Sequence, residues 1–149
     1  MRFIVKQAGT EQELKAILQL RYTVLRQPWN QPIESATDDL EKTSVNAYLE
    51  DGSGVAIACG RLQENEHKTG QIRFMAVAIS YQGQGLGKKM LAFLEEKARD
   101  AGLHKIELQA RENAVAFYKS NGYVVKEKSF LLWGIIQHFL MVKFIAKLD

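Results

Sequence analysis

Gln82-Gly83-Gln84-Gly85-Leu86-Gly87-Lys88-Lys89 is the stretch on which the fold turns. Glycine lets a main chain take positive φ and come close to a ligand. The first turn of a helix offers unpaired N–H groups and a partial positive charge. Glycines that open a helix are therefore suited to holding a phosphate or pyrophosphate without a cationic side chain. As mere structure such glycines are costly, about 1 kcal/mol each in a helix interior relative to Ala. The plainer alternative is a tight turn that allows close helix-on-sheet packing. A dinucleotide fingerprint starting at Gly83 would need glycine where Lys88 stands, and a P-loop ending at Gly87-Lys88 would need glycine at Gln82 and Ser or Thr at Lys89.

Working outward, the residues on either side alternate between strand and helix signals. Before the loop, residues 71–80 read as a mostly apolar strand. Residues 45–50 and 55–63 flank the hairpin signal Asp51-Gly52-Ser53-Gly54. After it, Leu86, Met90, Leu91, Leu94 and Ala98 form one apolar helical face that Gly102 ends. Residues 105–110 then alternate, with Ile106, Leu108 and Ala110 inward and Lys105, Glu107 and Gln109 outward. A strand, helix and strand crossover of this length implies a parallel pair. Asn113 is expected to cap a short helix with Val115, Phe117 and Tyr118, stopped by Asn121-Gly122, and residues 123–130 and 135–145 close as an antiparallel pair. At the start, residues 3–7 read as a strand, and Thr10 with Glu13 form a capping box for a helix through Arg26. Residues 27–39 break into a loop with Pro28, Trp29, Asn30 and Pro32; Trp29 either lines a site or plugs the loop. The outcome is a mixed sheet with helices on its faces.

At 149 residues the chain is expected to be one domain, 1–149. Hydrophobic content of 46%, charged content of 25% and only 2 prolines are those of an ordered globular protein. A net charge of +3 suits an anionic ligand but is weak for a nucleic-acid binder, and apart from Lys88-Lys89 the cations are scattered. Cys59 is the only cysteine, which excludes an intrachain disulfide and fits a reducing cytoplasm; within Val55-Ala56-Ile57-Ala58-Cys59 it reads as a buried, inert thiol. His67, His104 and His138 are too far apart for a local metal motif, so no metal is expected. The opening Met1-Arg2-Phe3-Ile4-Val5-Lys6 is too short for a signal peptide, and polar residues interrupt the late apolar run, so no membrane association is expected.

In this order of elements the chain resembles the GNAT N-acetyltransferase superfamily. Gln82, Gly85 and Gly87 satisfy the family's acyl-CoA motif of Arg or Gln, two residues, Gly, one residue, Gly or Ala. The strand Phe74-Met75-Ala76-Val77 precedes it, and Ala114-Val115-Ala116-Phe117-Tyr118 with Gly122-Tyr123 is similar to the family's downstream segment. Arg21-Tyr22, Leu25-Arg26-Gln27 and Gln137-His138-Phe139-Leu140-Met141 resemble its ElaA-like branch. Two departures stand out: many relatives have Pro at Ile79 and Asn at Arg111.

The resemblance implies the GNAT fold, an α/β fold whose mixed, mostly antiparallel sheet of about seven strands carries helices on both faces. It also implies acetyl transfer from acetyl-CoA to a primary amine by direct attack through a tetrahedral intermediate. The cofactor-binding residues it implies are Met75, Ala76 and Val77 on a splayed strand, Gln82, Gly83, Gln84, Gly85, Leu86, Gly87 and Lys88 around the pyrophosphate, and Arg111, Asn113 and Tyr118 near the pantetheine arm. Lys88 and Lys89 are otherwise solvated helix charges.

Chemistry then asks for a base and an acid. An alkylamine of pKa about 10.4 is nearly all protonated at neutral pH. Glu107 is the nearest carboxylate by topology, or else a solvated strand residue; His138, of reference pKa about 6.5, is the other base, or else a core histidine. Tyr118, at the family position for protonating the leaving CoA thiolate, otherwise packs beside Phe117. The acceptor is open: a metabolite amine, an antibiotic, or a protein terminus or lysine. Asp38 and Asp39 would attract a cationic amine, unless they form only a polar turn. Dimers are common in the family. Two other readings stand beside the enzyme: a catalytically inactive acyl-CoA-binding sensor and a nucleic-acid-binding module, the latter disfavoured by the modest charge.

Overall fold

The computed structural model describes residues 3–146. Its core is a seven-stranded sheet of order β1-β2-β3-β4-β5-β7-β6. The strands are β1 (Lys6–Gln7), β2 (Val45–Glu50), β3 (Ala56–Glu64), β4 (Thr69–Val77), β5 (Lys105–Arg111), β6 (Val124–Leu132) and β7 (Ile136–Phe144). Among the described residues only β4 and β5 run parallel; every other neighbouring pair is antiparallel. The crossover between them is α2 (Leu86–Asp100). This is the expected mixed, mostly antiparallel sheet.

Two helices cover opposite faces. Helix α1 (Glu11–Arg21) starts at Thr10, whose hydroxyl accepts from the Glu13 N–H while the Glu13 carboxylate accepts from the Thr10 N–H, as the capping box predicts. Its Ile17 and Leu20 pack on Tyr48, Cys59 and Ala76. Helix α2 buries Leu86, Met90, Leu91, Leu94 and Ala98, the predicted stripe, against Leu49, Ile57, Ile106, Leu108 and Ala110 on the other face. The short α3 (Val115–Ser120) adds Tyr118 to that second core.

Some bounds move. The first strand is two residues rather than 3–7, and β4 stops at Val77, because Ile79–Tyr81 tightens into a single 3-10 turn ahead of the glycines. Asn113 does not cap α3. It lies in a 3-10 turn, Glu112–Ala114, that feeds the helix; the cap position falls to Ala114, and no side chain bonds the free N–H groups. Beyond α1 the chain continues as a π turn, Tyr22–Arg26, a form of helix concentrated at functional sites.

Candidate active site

The sheet opens where its only parallel pair comes apart. β4 and β5 pair from Thr69–Lys105 to Ile72–Leu108 and no further, although β4 runs on to Val77 and β5 to Arg111. The cause is a bulge at Phe74. Its φ of 55° lies in the left-handed region, which costs a non-glycine residue roughly 1–2 kcal/mol. The β3–β4 register shifts at the same place, between Cys59 and Arg61. Gly60 permits this: a Cβ there would lie 2.6 Å from the Met75 sulfur and 2.9 Å from Leu94 Cδ1. Beyond the bulge β4 still pairs with β3, through Ala76–Cys59 and Val77–Ala58, and the β5-facing edge of Met75 to Val77 is left without a strand partner.

The glycine loop follows directly. Gly83 and Gly85 both have φ of 80°, and a Cβ on either would meet nothing within 4 Å. Gly85 occupies the N-cap of α2 without a side-chain capping bond, so the first-turn N–H groups are left without a side-chain acceptor among the described residues. These are the features of an anion cradle, and they fit a pyrophosphate. Gly87 differs: a Cβ there would lie 3.2 Å from the Phe117 ring, so it serves close packing of α3 on α2. The Gln82 side chain turns back and donates to the Val77 carbonyl at 3.0 Å, tying the loop to the end of β4. Gln84 and Lys88 are exposed, Leu86 is buried, and Lys89 Nζ donates to the Phe3 carbonyl at 3.4 Å.

Phe117 and Tyr118 divide their work as adjacent helical residues must. Phe117 lies against Gly87, whereas Tyr118 is buried, edge-on to Phe117 and Tyr123. The Tyr118 hydroxyl has no hydrogen bond among the described residues, and burial pushes its pKa above the ordinary tyrosine value.

On the α1 face the site consists of arginines. The guanidinium carbons of Arg21, Arg61, Arg73 and Arg26 lie 4.4, 4.9, 4.6 and 5.7 Å from the centre of the Phe74 ring. Three of these cations meet carboxylates. Asp38 takes Arg61 at 2.8 and 2.9 Å and Arg73 at 2.7 Å, and Glu41 pairs with Arg21. The Arg61 hydrogen bonds hold the Asp38 carboxyl down to about 2. The expectation that Asp38 would draw in a cationic amine is thereby corrected: its charge is already spent on two arginines. Asp39 is exposed. Arg26 and Arg111, by contrast, bond only to carbonyls among the described residues.

Arg111 ends β5, and His138 lies opposite it on β7. Since Ile106, Leu108 and Ala110 point to α2, both belong to the α1 face. His138 is buried, stacked on Phe130 with ring centres 4.4 Å apart. Its Nδ1 lies 3.0 Å from the Ile136 carbonyl, which can only accept, so Nδ1 carries the hydrogen and Nε2 keeps a lone pair. Burial, then the nearby charges of Arg111 and Arg26, push its pKa below the usual 6.5. Glu107 sits lower on β5, opposite Gln71 where the parallel pair is still closed, 3.5 Å from Lys105. Asn113 and Trp29 are exposed; an exposed Trp29 does not plug its loop. Cys59 is the buried thiol expected, pushed up to about 11 by burial, and its Sγ donates to the Phe74 carbonyl at 3.3 Å.

Phe74 and Arg26 were named in the sequence only as parts of a strand and of a family segment, without a role in the site, and Gly60, Arg61 and Arg73 were missed altogether. An isolated glycine within an apolar strand is a bulge signal. Arginines inside strands that are otherwise apolar likewise signal buried charge.

Comparison with known proteins adds what the geometry alone does not give. The model of the acetyltransferase (GNAT) family matches residues 12–123. YjcF of Bacillus subtilis, described as an uncharacterized N-acetyltransferase, is 34% identical over 137 residues, 91% of this chain and 96% of that protein. Among solved structures, an acyl-CoA N-acyltransferase from Pseudomonas aeruginosa superposes with a TM-score of 0.81 at 23% identity, over 95% of this chain and 98% of that one. Escherichia coli ElaA does so with a TM-score of 0.82 at 19% identity, over 95% and 99%. At those identities the two structures speak for the fold, and the family model with the Bacillus relative speaks for kinship: the chain belongs to the GNAT family of acetyltransferases.

Proposed function

We propose that the protein transfers the acetyl group of acetyl-CoA to a primary amine by direct attack, with the donor lying between the parted ends of β4 and β5. The observation that carries this reading is the parting itself, with the uncapped N-terminus of α2 beside it. A peptide-like pantetheine arm pairs with a free strand edge as an added strand would, and Met75 to Val77 provide one. Gly83, Gly85 and the first turn of α2 hold the pyrophosphate. N–H groups on the free edge are suited to stabilise the oxyanion of a tetrahedral intermediate.

In the reaction the amine nitrogen bonds to the thioester carbon, the carbon–sulfur bond breaks, and the amine loses a proton. His138 Nε2 is the proton acceptor we favour. Transfer from an ordinary ammonium to an ordinary imidazole is uphill by about 4 pKa units, roughly 5 kcal/mol, and the lowered His138 pKa adds to this; a barrier in the usual enzymatic range accommodates it. The surrounding guanidinium charges disfavour the ammonium and the imidazolium alike, so they lower both pKa values and leave the difference between them largely unchanged. Tyr118 gives its hydroxyl proton to the departing sulfur. Burial raises the Tyr118 pKa, and it penalises the thiolate too, so both groups shift in the same direction.

Thiol release from acetyl-CoA across a panel of amines tests the reading. Acceptor-dependent release supports it; tight CoA binding without release for any acceptor favours an acyl-CoA sensor instead.

A further inference from the structure

Charge is unevenly balanced on the α1 face. Asp38 and Glu41 answer Arg21, Arg61 and Arg73, as described. Arg26 and Arg111 have no carboxylate among the described residues, yet they are held together: Arg26 Nη1 and Arg111 Nη2 both donate to the single carbonyl oxygen of Leu25, at 3.1 and 3.0 Å. Arg26 is 8% exposed, and its other bonds, from Nε and Nη2, go to the Ser35 carbonyl at 3.2 and 3.1 Å. Each guanidinium therefore keeps N–H groups unspent. Two like charges gathered about one neutral oxygen repel, and burial adds to the cost of keeping them. Neighbouring groups relieve it only in part, through aromatic faces and not through a counter-ion. His138 faces Arg111 from β7, neutral at physiological pH, and the Trp133 ring in the β6–β7 turn lies 5.3 Å from the Arg26 guanidinium carbon.

Burial, with the charges of Arg111, Arg73 and Arg21, pushes Arg26 down to about 10, in keeping with a cluster that lacks a counter-ion. The four segments involved, the π turn after α1, the end of β5, the β6–β7 turn and β7, meet at the end of the sheet where β4 and β5 part. Arg26 touches the Phe74 ring that forms the bulge.

Resting on the acetyl-transfer reading, we infer that the acceptor amine carries an oxyanion group, a carboxylate or a phosphate, which Arg26 and Arg111 bind while its amine reaches the parted strands. A planar fork of donors on each arginine matches either oxyanion, and the pair of charges excludes acceptors that are only cationic. Charge-assisted bonds from the two arginines should favour an anionic acceptor over its neutral counterpart at least tenfold.

The test uses the whole protein saturated with CoA. Calorimetry measures binding of the ω-amino carboxylates from glycine to aminohexanoate, the aminoalkyl phosphates of matching length, and the corresponding ω-amino amides. Tighter binding of one charged series than of the amides, by tenfold or more, lost in Arg26→Gln and in Arg111→Gln and partly kept in Arg26→Lys, supports the inference. Which series wins distinguishes carboxylate from phosphate. Equal binding of amides and anions, or a preference that survives both glutamine variants, overturns it. Far-UV circular dichroism and melting of each variant separate a lost ligand from a lost fold, and Arg111→Gln, at a half-buried strand end, decides if Arg26→Gln does not fold. Thiol release is read separately: anion binding without release refutes acetyl transfer and leaves the anion site standing, whereas release with amides and no anion preference does the reverse.

Discussion

The two sides of the parted strands are built from different materials. On the α2 side the candidate donor site is main chain: two glycines at positive φ, an uncapped helix end and a free strand edge. On the α1 side the candidate acceptor site is side chain: arginines drawn from α1, the π turn, β3 and β4 onto one phenyl ring, with Arg111 of β5 beside them on the Leu25 carbonyl. A backbone site tolerates little change in residue type at its own positions, and it is written locally in the sequence. A side-chain site is assembled from afar and is sensitive to the loss of any one partner.

Phe74→Ala should do the greatest damage, because it removes the ring on which four guanidinium groups rest and the residue that bends β4. Loss of about 3–5 kcal/mol is expected in denaturant unfolding. A change below about 1 kcal/mol would mean that the arginines hold the bulge without the ring. Tyr118→Phe comes next: kcat should fall about 10²-fold or more with the KM for acetyl-CoA little altered, since a general acid acts only in the transition state. Gly85→Val should weaken CoA binding about tenfold, through a side chain placed in the cradle, while strain of roughly 1–2 kcal/mol at positive φ lowers melting by a few degrees, well short of Phe74→Ala. If Gly85→Val instead lowered stability as much as Phe74→Ala, the contrast between the two sides would collapse.

Acid separates the sides more gently. A carboxyl held down to about 2 in the folded state contributes stability that is complete above the unfolded pKa near 3.9 and is lost as pH falls through 2. Stability should therefore drop between about pH 4 and 2, and Asp38→Asn should flatten that slope in unfolding measured at stepped pH. The smallest effect belongs to His138. The acid limb of kcat/KM should lie below 6.5, in line with its lowered pKa, and vanish in His138→Gln; a limb unmoved by that change would assign it to another group.

The same contrast explains what could be read before the structure. The glycine loop, the α2 stripe, the Thr10 capping box and the parallel crossover were legible because each is a short-range pattern. The arginine cluster was not, because Arg21, Arg26, Arg61, Arg73 and Arg111 stand far apart and look like scattered surface charge until the sheet gathers them. Asp38 was read with the right chemistry and the wrong partner: a carboxylate in a loop attracts cations, and the nearest are Arg61 and Arg73 of this chain. Asn113 was misread as a cap because a 3-10 turn shifted the helix start by one residue.

Phe74 makes the two sides mechanically one. A kink in a strand is commonly secured by glycine, which takes positive φ without steric strain; here an aromatic residue is kept in a left-handed conformation by cations stacked against it. The width of the gap between β4 and β5 is thus tied to the charge state of the opposite face. A chain evolving toward a new acceptor cannot freely exchange those arginines, because each exchange also loosens the hinge that opens the sheet.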